Sequence, residues 1–359
     1  MRLRLSASLV LAAGLAACGD GGGMGSTPGP EPRAYFMGFT AIPPRPDNAL
    51  AIRTVDLWAT RADAGLLLYD PPWERLLAGD DAVALVRANE LGLANYFRGK
   101  GLAVLVASID ATDGLDRAQD SPALRALGRS LTEPAVRDAY VRYVGAFAEV
   151  IRPDYLSVAS ETNLVRAIAP PSLYAALVDA AVRAAGEARR RAPSTRVFST
   201  VQVEVAWGRL VPGGPFVGIA RDRSDFAFAE VIGLSSYPYL AGFVEPEELP
   251  LDYYARLVEA PPLPVMVIEG GWTSASLGGI VSSPDKQRRY LERQARILDA
   301  ARAAGWFQIT FTDLDLGAIP LPSGSIVPLF AAIGLVDTGF APKPALAVWD
   351  EVFRRPRRP

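Results

Sequence analysis

The chain has 359 residues, half of them apolar and 21% charged, with a formal net charge of −2 and no histidine. That length suits two ordinary domains or one large α/β barrel, and a globule of about 300 residues buries roughly 75% of its unfolded surface. The near-neutral balance, three lysines against 34 arginines spread along the chain, offers no basic field for nucleic acid, and no nucleic-acid partner is expected. Without histidine, Ser-His-Asp and Cys-His catalysis, His-ligated zinc and imidazole switching are excluded. Acid-base work near neutral pH falls to carboxylates. The lone cysteine, Cys18, excludes an internal disulfide and a cysteine-cluster metal site. No cofactor is expected.

Arg2 and Arg4 precede an apolar stretch, 5–17, too short to span a membrane as a mature helix, which predicts a secretion signal. It ends Leu15-Ala16-Ala17-Cys18, which resembles the lipobox of bacterial lipoproteins. The resemblance implies cleavage before Cys18 and acylation of its sulfur; an ordinary signal peptide with a chance cysteine is the competing reading. Residues 19–33 are Gly, Pro and Ser with almost no apolar content, a flexible tether. The predicted organisation is a signal peptide over 1–17, a lipidated cysteine and tether over 18–33, and one folded unit over 34–355. Gly19 after the cysteine, by the usual sorting pattern of such lipoproteins, implies the outer membrane or cell surface. Contact with the membrane is expected only through the lipid.

From Tyr35 onward, short apolar runs alternate with amphipathic stretches, the pattern of parallel βα units. Strands are predicted over 35–40, 65–69, 102–109, 155–160, 197–203, 231–237, 264–269 and 307–312. Runs such as 102–106 and 265–268 lack polar alternation, as strands covered on both faces do. Val136, Tyr140, Tyr143, Val144, Phe147 and Ile151 follow helical spacing, as do Tyr174, Leu177, Val178, Ala181, Val182 and Ala185. Ser283-Pro284-Asp285 predicts the capped start of a helix running to about Ala304. Eight strands alternating with helices predict a single (β/α)8 TIM barrel. A doubly wound open sheet is the competing fold, but Gly21-Gly22-Gly23 has no strand before it and carries no phosphate-loop signal.

In such a barrel, chemistry belongs at the carboxyl ends of the strands. Those ends offer Asp70, Asp110, Glu161, Glu204, Glu269 and Asp313. Glu161 and Glu269 each close an apolar strand, the fourth and the seventh. With strands about 4.8 Å apart and tilted about 36°, two glutamates reaching inward from those strands leave roughly 6 Å between carboxyl groups, near the roughly 5–5.5 Å of retaining glycosidases.

Glu161 and Glu269, with Ile232-Gly233-Leu234-Ser235-Ser236-Tyr237-Pro238-Tyr239 on the sixth strand and Val267-Ile268-Glu269-Gly270-Gly271-Trp272 on the seventh, resemble clan A glycoside hydrolases. The nearest flavour is that of the family 53 endo-β-1,4-galactanases and their relatives. The resemblance implies a carbohydrate substrate, a β-linked polysaccharide or oligosaccharide, with Glu161 as acid/base, Glu269 as nucleophile and Tyr237 as the residue that orients Glu269. The chain departs from the clan in having Ser160 where Asn usually precedes the acid/base, in lacking a tryptophan on the eighth strand, and in lacking histidine.

Aromatic residues beyond strand ends are candidates for stacking on sugar: Trp272, Tyr239 and Tyr69, with Trp73 and Trp207 behind them. Asn163 and Gln202 are candidate hydroxyl binders, Asp313 a further substrate contact, and Glu204 the reserve carboxylate. Two other classes stay open. One is a carbohydrate-binding surface barrel with weakened or lost catalysis. The other is a carboxylate-metal hydrolase using Asp70, Asp110 and Asp313, since oxygen-only sites need no histidine.

Overall fold

A computed structural model describes residues 31–211, 213–258 and 262–358. The predicted signal, Cys18 and nearly all of the predicted tether lie outside the described residues. Eight parallel strands close into a barrel in sequence order: β1 (Phe36–Thr40), β2 (Ala64–Tyr69), β3 (Val104–Ile109), β4 (Tyr155–Ser157), β5 (Arg196–Gln202), β6 (Ile232–Ser236), β7 (Val265–Gly270) and β8 (Gly305–Gln308). The β1–β8 pairing, Phe36 opposite Gly305, shuts the ring and rules out the open sheet.

The alternation of side chains along each strand builds two apolar clusters. One face of the strands contributes Phe36, Ala64, Leu66, Val106, Phe198, Met266, Ile268 and Phe307 to a compact inner cluster. The other face packs against the helices in the larger core, including Met37, Phe39, Leu67, Val201 and Leu234. Large rings fit the inner cluster because neighbouring strand positions carry glycine. A Cβ on Gly38 would stand 2.5 Å from the Phe307 ring and one on Gly305 would stand 2.4 Å from the Phe36 ring. Ring and missing side chain are complementary, as close packing demands.

The helices follow their sequence signals. Pro134–Ile151 and Pro171–Arg191 pack together, and the predicted stripe of the first is fully buried. In the second, Leu177, Ala181 and Ala185 are buried, Tyr174 and Val178 are partly covered and Val182 is exposed, the buried face being shifted towards Leu173, Ala180, Ala184 and Ala188. Ser283 caps Pro284–Ala301 by accepting from the Lys286 N–H at 3.2 Å, and the helix stops at Arg302 in the left-handed conformation. Arg33, predicted as the end of the tether, instead belongs to the barrel unit: it is buried, ion-paired with Asp63 at 2.7 Å and bridged to Arg357.

Two strands differ from expectation in ways that matter for the site. β4 pairs only over Tyr155–Ser157, and the chain then leaves regular pairing before Glu161. β8 starts and ends earlier than predicted, because residues 309–312 leave the ring and bond to a following segment. The Leu335 and Val336 N–H groups donate to the Phe311 carbonyl at 2.9 and 3.1 Å. Asp313 is therefore carried away from the barrel mouth.

Candidate active site

Glu161 caps the helix Thr162–Ile168 in the left-handed region, φ 45° and ψ 46°, a conformation that costs a non-glycine residue on the order of 1 kcal/mol or more. The surroundings fix it there. Its N–H donates to Thr200 Oγ1 on β5 at 2.7 Å, and its carbonyl accepts from Leu164 and Val165 N–H at 2.9 and 3.0 Å. Backbone strain held by this many bonds turns the carboxyl group into the barrel mouth.

Glu269 sits on β7, half-buried, opposite Ser235, where the β6–β7 register shifts. The chain leaves through Gly270 and Gly271 at φ 156° and 149°. A Cβ on Gly270 would come within 2.6 Å of the Ser236 carbonyl oxygen, so only glycine lets β7 pass that close to β6.

Both glutamates stand in the wall of one cavity of about 390 Å³, with Arg117, Gln202, Tyr237 and Thr310. A smaller recess of about 200 Å³, far less apolar than the cavity, adjoins it, walled by Leu68, Tyr69, Asp70, Ser108, Asp110 and Ser160, and sharing Gly114, Arg117 and Glu269 with the cavity.

Arg117 binds the site together and was not foreseen. It arrives on the long loop after β3 and is only 4% exposed. Its Nε donates to Glu161 Oε2 at 2.8 Å, and its Nη1 donates to Asp110 Oδ2 and, at 3.2 Å, to Thr112 Oγ1. A guanidinium suits such a place, because it stays charged when buried and its fork can serve two carboxylates. Nothing in the local sequence marks it among the loop's other charged residues.

Burial pushes the Glu269 carboxyl up to about 7; the charge of Glu161 and then Asp110 add to the rise, while Arg117 opposes it. Glu269 therefore takes up a proton as the pH falls through about 7, while Glu161 stands ion-paired with Arg117. A double displacement needs Glu269 ionised and a proton on Glu161. Burial, then the Glu269 charge, hold the Tyr237 phenol well above its ordinary range, so it is a neutral donor beside the carboxylates. The Tyr237 ring is fixed edge-on against Phe330, centroids 4.8 Å apart.

Of the remaining candidates, Gln202 and Tyr69 reach the site. Gln202 lies in the cavity wall, but its amide is engaged: Oε1 accepts from Val205 N–H at 2.7 Å and Nε2 donates to Glu204. Tyr69 walls the recess with its ring tilted against Phe147. Thr310, passed over by sequence reasoning because it falls inside a predicted strand, faces the cavity with a buried hydroxyl that has no partner among the described residues.

The others are placed elsewhere. Trp272 is buried among Tyr239 and Tyr290 and donates to Ser282 Oγ at 3.1 Å; the Gly270-Gly271 turn swings it outward from the mouth, so it lines a separate hollow. Tyr239 lines that same hollow and donates to the Leu329 carbonyl at 2.9 Å, which tethers a loop. Both sides of the Asn163 amide pair with the Gln202 backbone at 2.8 Å, fastening the helix to β5. Asp313 accepts from Lys343 Nζ at 2.6 Å and Gly334 N–H at 3.0 Å, away from both hollows, which breaks up the proposed trio with Asp70 and Asp110. Trp73 and Trp207 stack on Tyr140 and Tyr253. Glu204 is fully buried and accepts from Ser236 Oγ, Tyr253 Oη and Tyr237 N–H at 2.9, 2.9 and 3.1 Å; it pins the end of β6 from behind. Among the described residues no group of three or more Cys, Asp or Glu side chains is arranged to hold a metal ion.

No family model matches the chain, and no curated protein sequence is similar to it. Solved structures are similar in fold. The exo-β-1,4-mannosidase Op5Man5 from Opitutaceae bacterium strain TAV5 superposes with a TM-score of 0.64 at 18% identity, covering 89% of this chain and 59% of the mannosidase. GH5_18 from Streptomyces cattleya, in complex with GlcNAc, gives 0.62 at 18% identity over 92% of this chain and 83% of that protein. The GH53 catalytic domain of Ignisphaera aggregans gives 0.56 at 17% identity over 82% and 85%. The fold that the chain shares with these three proteins is a closed (β/α)8 barrel. The chain spans 59% of the length of the mannosidase, and at these identities the likeness carries the barrel and its strand order.

Proposed function

We propose that this barrel is a retaining glycoside hydrolase that cleaves a β-linked sugar substrate by double displacement. The observation that carries the reading is the joint presence of Glu161 and Glu269 in one cavity at the carboxyl ends of β4 and β7, beside a buried arginine and an un-ionised tyrosine. Glu269 attacks the anomeric carbon while the bond to the leaving oxygen breaks and that oxygen takes the Glu161 proton. A water then attacks the glycosyl ester, passes its proton to Glu161 and releases Glu269. Arg117 stands where it supports the anionic form of Glu269, and Tyr237 offers a neutral donor beside it.

The nucleophile works only when ionised. With the Glu269 carboxyl raised to about 7, kcat/KM falls as the pH drops through that value, and the need for a proton on Glu161 adds an alkaline limb, so the profile is bell-shaped. A panel of aryl β-glycosides, assayed with the wild-type chain, Glu161→Ala and Glu269→Ala, tests the reading. Loss of at least a thousandfold in Glu269→Ala and a first-formed product of retained configuration are expected. Hydrolysis undiminished in Glu269→Ala, or an inverted product, refutes the assignment. A binding barrel without turnover is the second reading; it is favoured by the Arg117–Glu161 ion pair and by Ser160, and it requires sugar affinity with no hydrolysis by any of the three proteins. For location, we propose envelope anchoring through Cys18, tested by release of a Cys18→Ser variant into the soluble fraction.

A further inference from the structure

The two hollows that meet at Glu269 differ in chemistry. The recess presents Ser108, Asp110, Ser160, Asp70 and Arg117, groups that suit the hydroxyls of a sugar ring. At about 30 Å³ per water, its 200 Å³ equals roughly seven waters, the scale of one ring. The larger cavity is mostly aliphatic: Leu164, Leu240, Ile333, Leu115, Ile168 and Ile326 line it, and the last three are 48, 38 and 38% exposed at its open side. No tryptophan lines it, and its two rings, Tyr237 and Phe330, are packed edge-on against each other.

We propose that the substrate is a β-glycoside whose sugar occupies the recess and whose leaving group is an apolar chain occupying the aliphatic cavity, so that hydrolysis releases a sugar and an apolar alcohol. The proposal rests on the glycosidase reading above and names its substrate class. The positions of the two acids agree with it. Glu269 borders both hollows, as a nucleophile beneath the sugar must, and Glu161 borders the apolar cavity, where the departing oxygen takes its proton. A second sugar in that cavity would leave hydroxyls facing aliphatic side chains, at a cost of roughly tenfold or more in affinity for each one unpaired. A buried methylene gains about fourfold.

The test compares octyl and methyl β-glycosides of glucose, galactose, mannose and N-acetylglucosamine, each below its micelle concentration, with the β-1,4-linked disaccharide of the same sugar. For whichever sugar is accepted, kcat/KM for the octyl glycoside is expected to exceed that for both the methyl glycoside and the disaccharide at least tenfold. Leu115→Asn and Ile326→Asn, exposed positions at the rim, are expected to bring the octyl-to-methyl ratio towards one. Preference for the disaccharide, or an octyl-to-methyl ratio near one in the wild-type chain, overturns the proposal while leaving the glycosidase reading standing. If no glycoside is hydrolysed, the glycosidase reading fails, and calorimetric binding decides the cavity's role: octyl glycoside bound at least tenfold more tightly than methyl supports an apolar site, and equal or absent binding overturns it.

Discussion

Replacing Glu269 by Gln should stabilise the protein, and only above a definite pH. The folded state holds the Glu269 carboxyl at about 7 against an ordinary 4.5, so it binds that proton more tightly than the unfolded chain does. A raised carboxyl of this kind contributes stability that is fully present below pH 4.5 and lost as the pH rises through 7. A rise of about 2.5 pH units at 1.36 kcal/mol each makes the loss about 3 kcal/mol, an upper figure for a half-buried group. Glu269→Gln keeps the shape and removes the charge. The variant should therefore match the wild-type chain at pH 4.5 and exceed it by up to about 3 kcal/mol at pH 8. At about 2.1 cal/mol/K per residue, a unit of roughly 330 residues has an unfolding entropy near 0.7 kcal/mol/K, so the gain appears as about 4 °C in Tm. Thermal unfolding of both proteins at several pH values, followed by circular dichroism, measures it without any substrate. A Glu269→Gln protein no more stable than wild type at pH 8, or stabilised equally at pH 4.5 and 8, would refute the assignment of a destabilising buried charge to this residue.

Arg117→Met strands the Asp110 and Glu161 carboxylates that share the buried guanidinium. A loss of about 3–5 kcal/mol is expected in urea unfolding at pH 8, and, because Arg117 lowers the Glu269 carboxyl, the acid limb of kcat/KM should move to higher pH; an unmoved limb counts against the contact. Trp272→Phe should cost about 1–3 kcal/mol of stability through lost packing and the lost bond to Ser282, yet leave KM within about twofold, since Trp272 lies outside the cavity that holds Glu161 and Glu269. A large rise in KM would return it to the substrate.

The barrel was legible because its evidence is repetitive. Eight apolar runs with amphipathic stretches between them leave few folds open, and a misjudged boundary at one strand does not change the answer. β8 was misplaced because residues 309–312 carry the same alternating apolar pattern whether they pair in the ring or with 333–336; sequence records the pattern and not the partner. That Glu161 and Glu269 face one cavity was legible because each stands at the end of an apolar run, Glu269 on β7 itself and Glu161 just past β4. The errors cluster where the chain turns. Two glycines after Glu269 reverse the direction of Trp272, and a helix beginning at Thr162 spends the Asn163 amide on β5. Arg117 escaped because a loop arginine has no periodicity to betray it, and its role depends on a fold of some dozen irregular residues.

The frame that aims the two acids is woven into neighbouring strands, whereas the cation that balances them is supplied by a connector, the class of segment that accepts insertions and replacements most readily. Acidity optimum and scaffold can therefore diverge separately: one altered connector retunes the proton affinities at the mouth and leaves the architecture beneath it untouched.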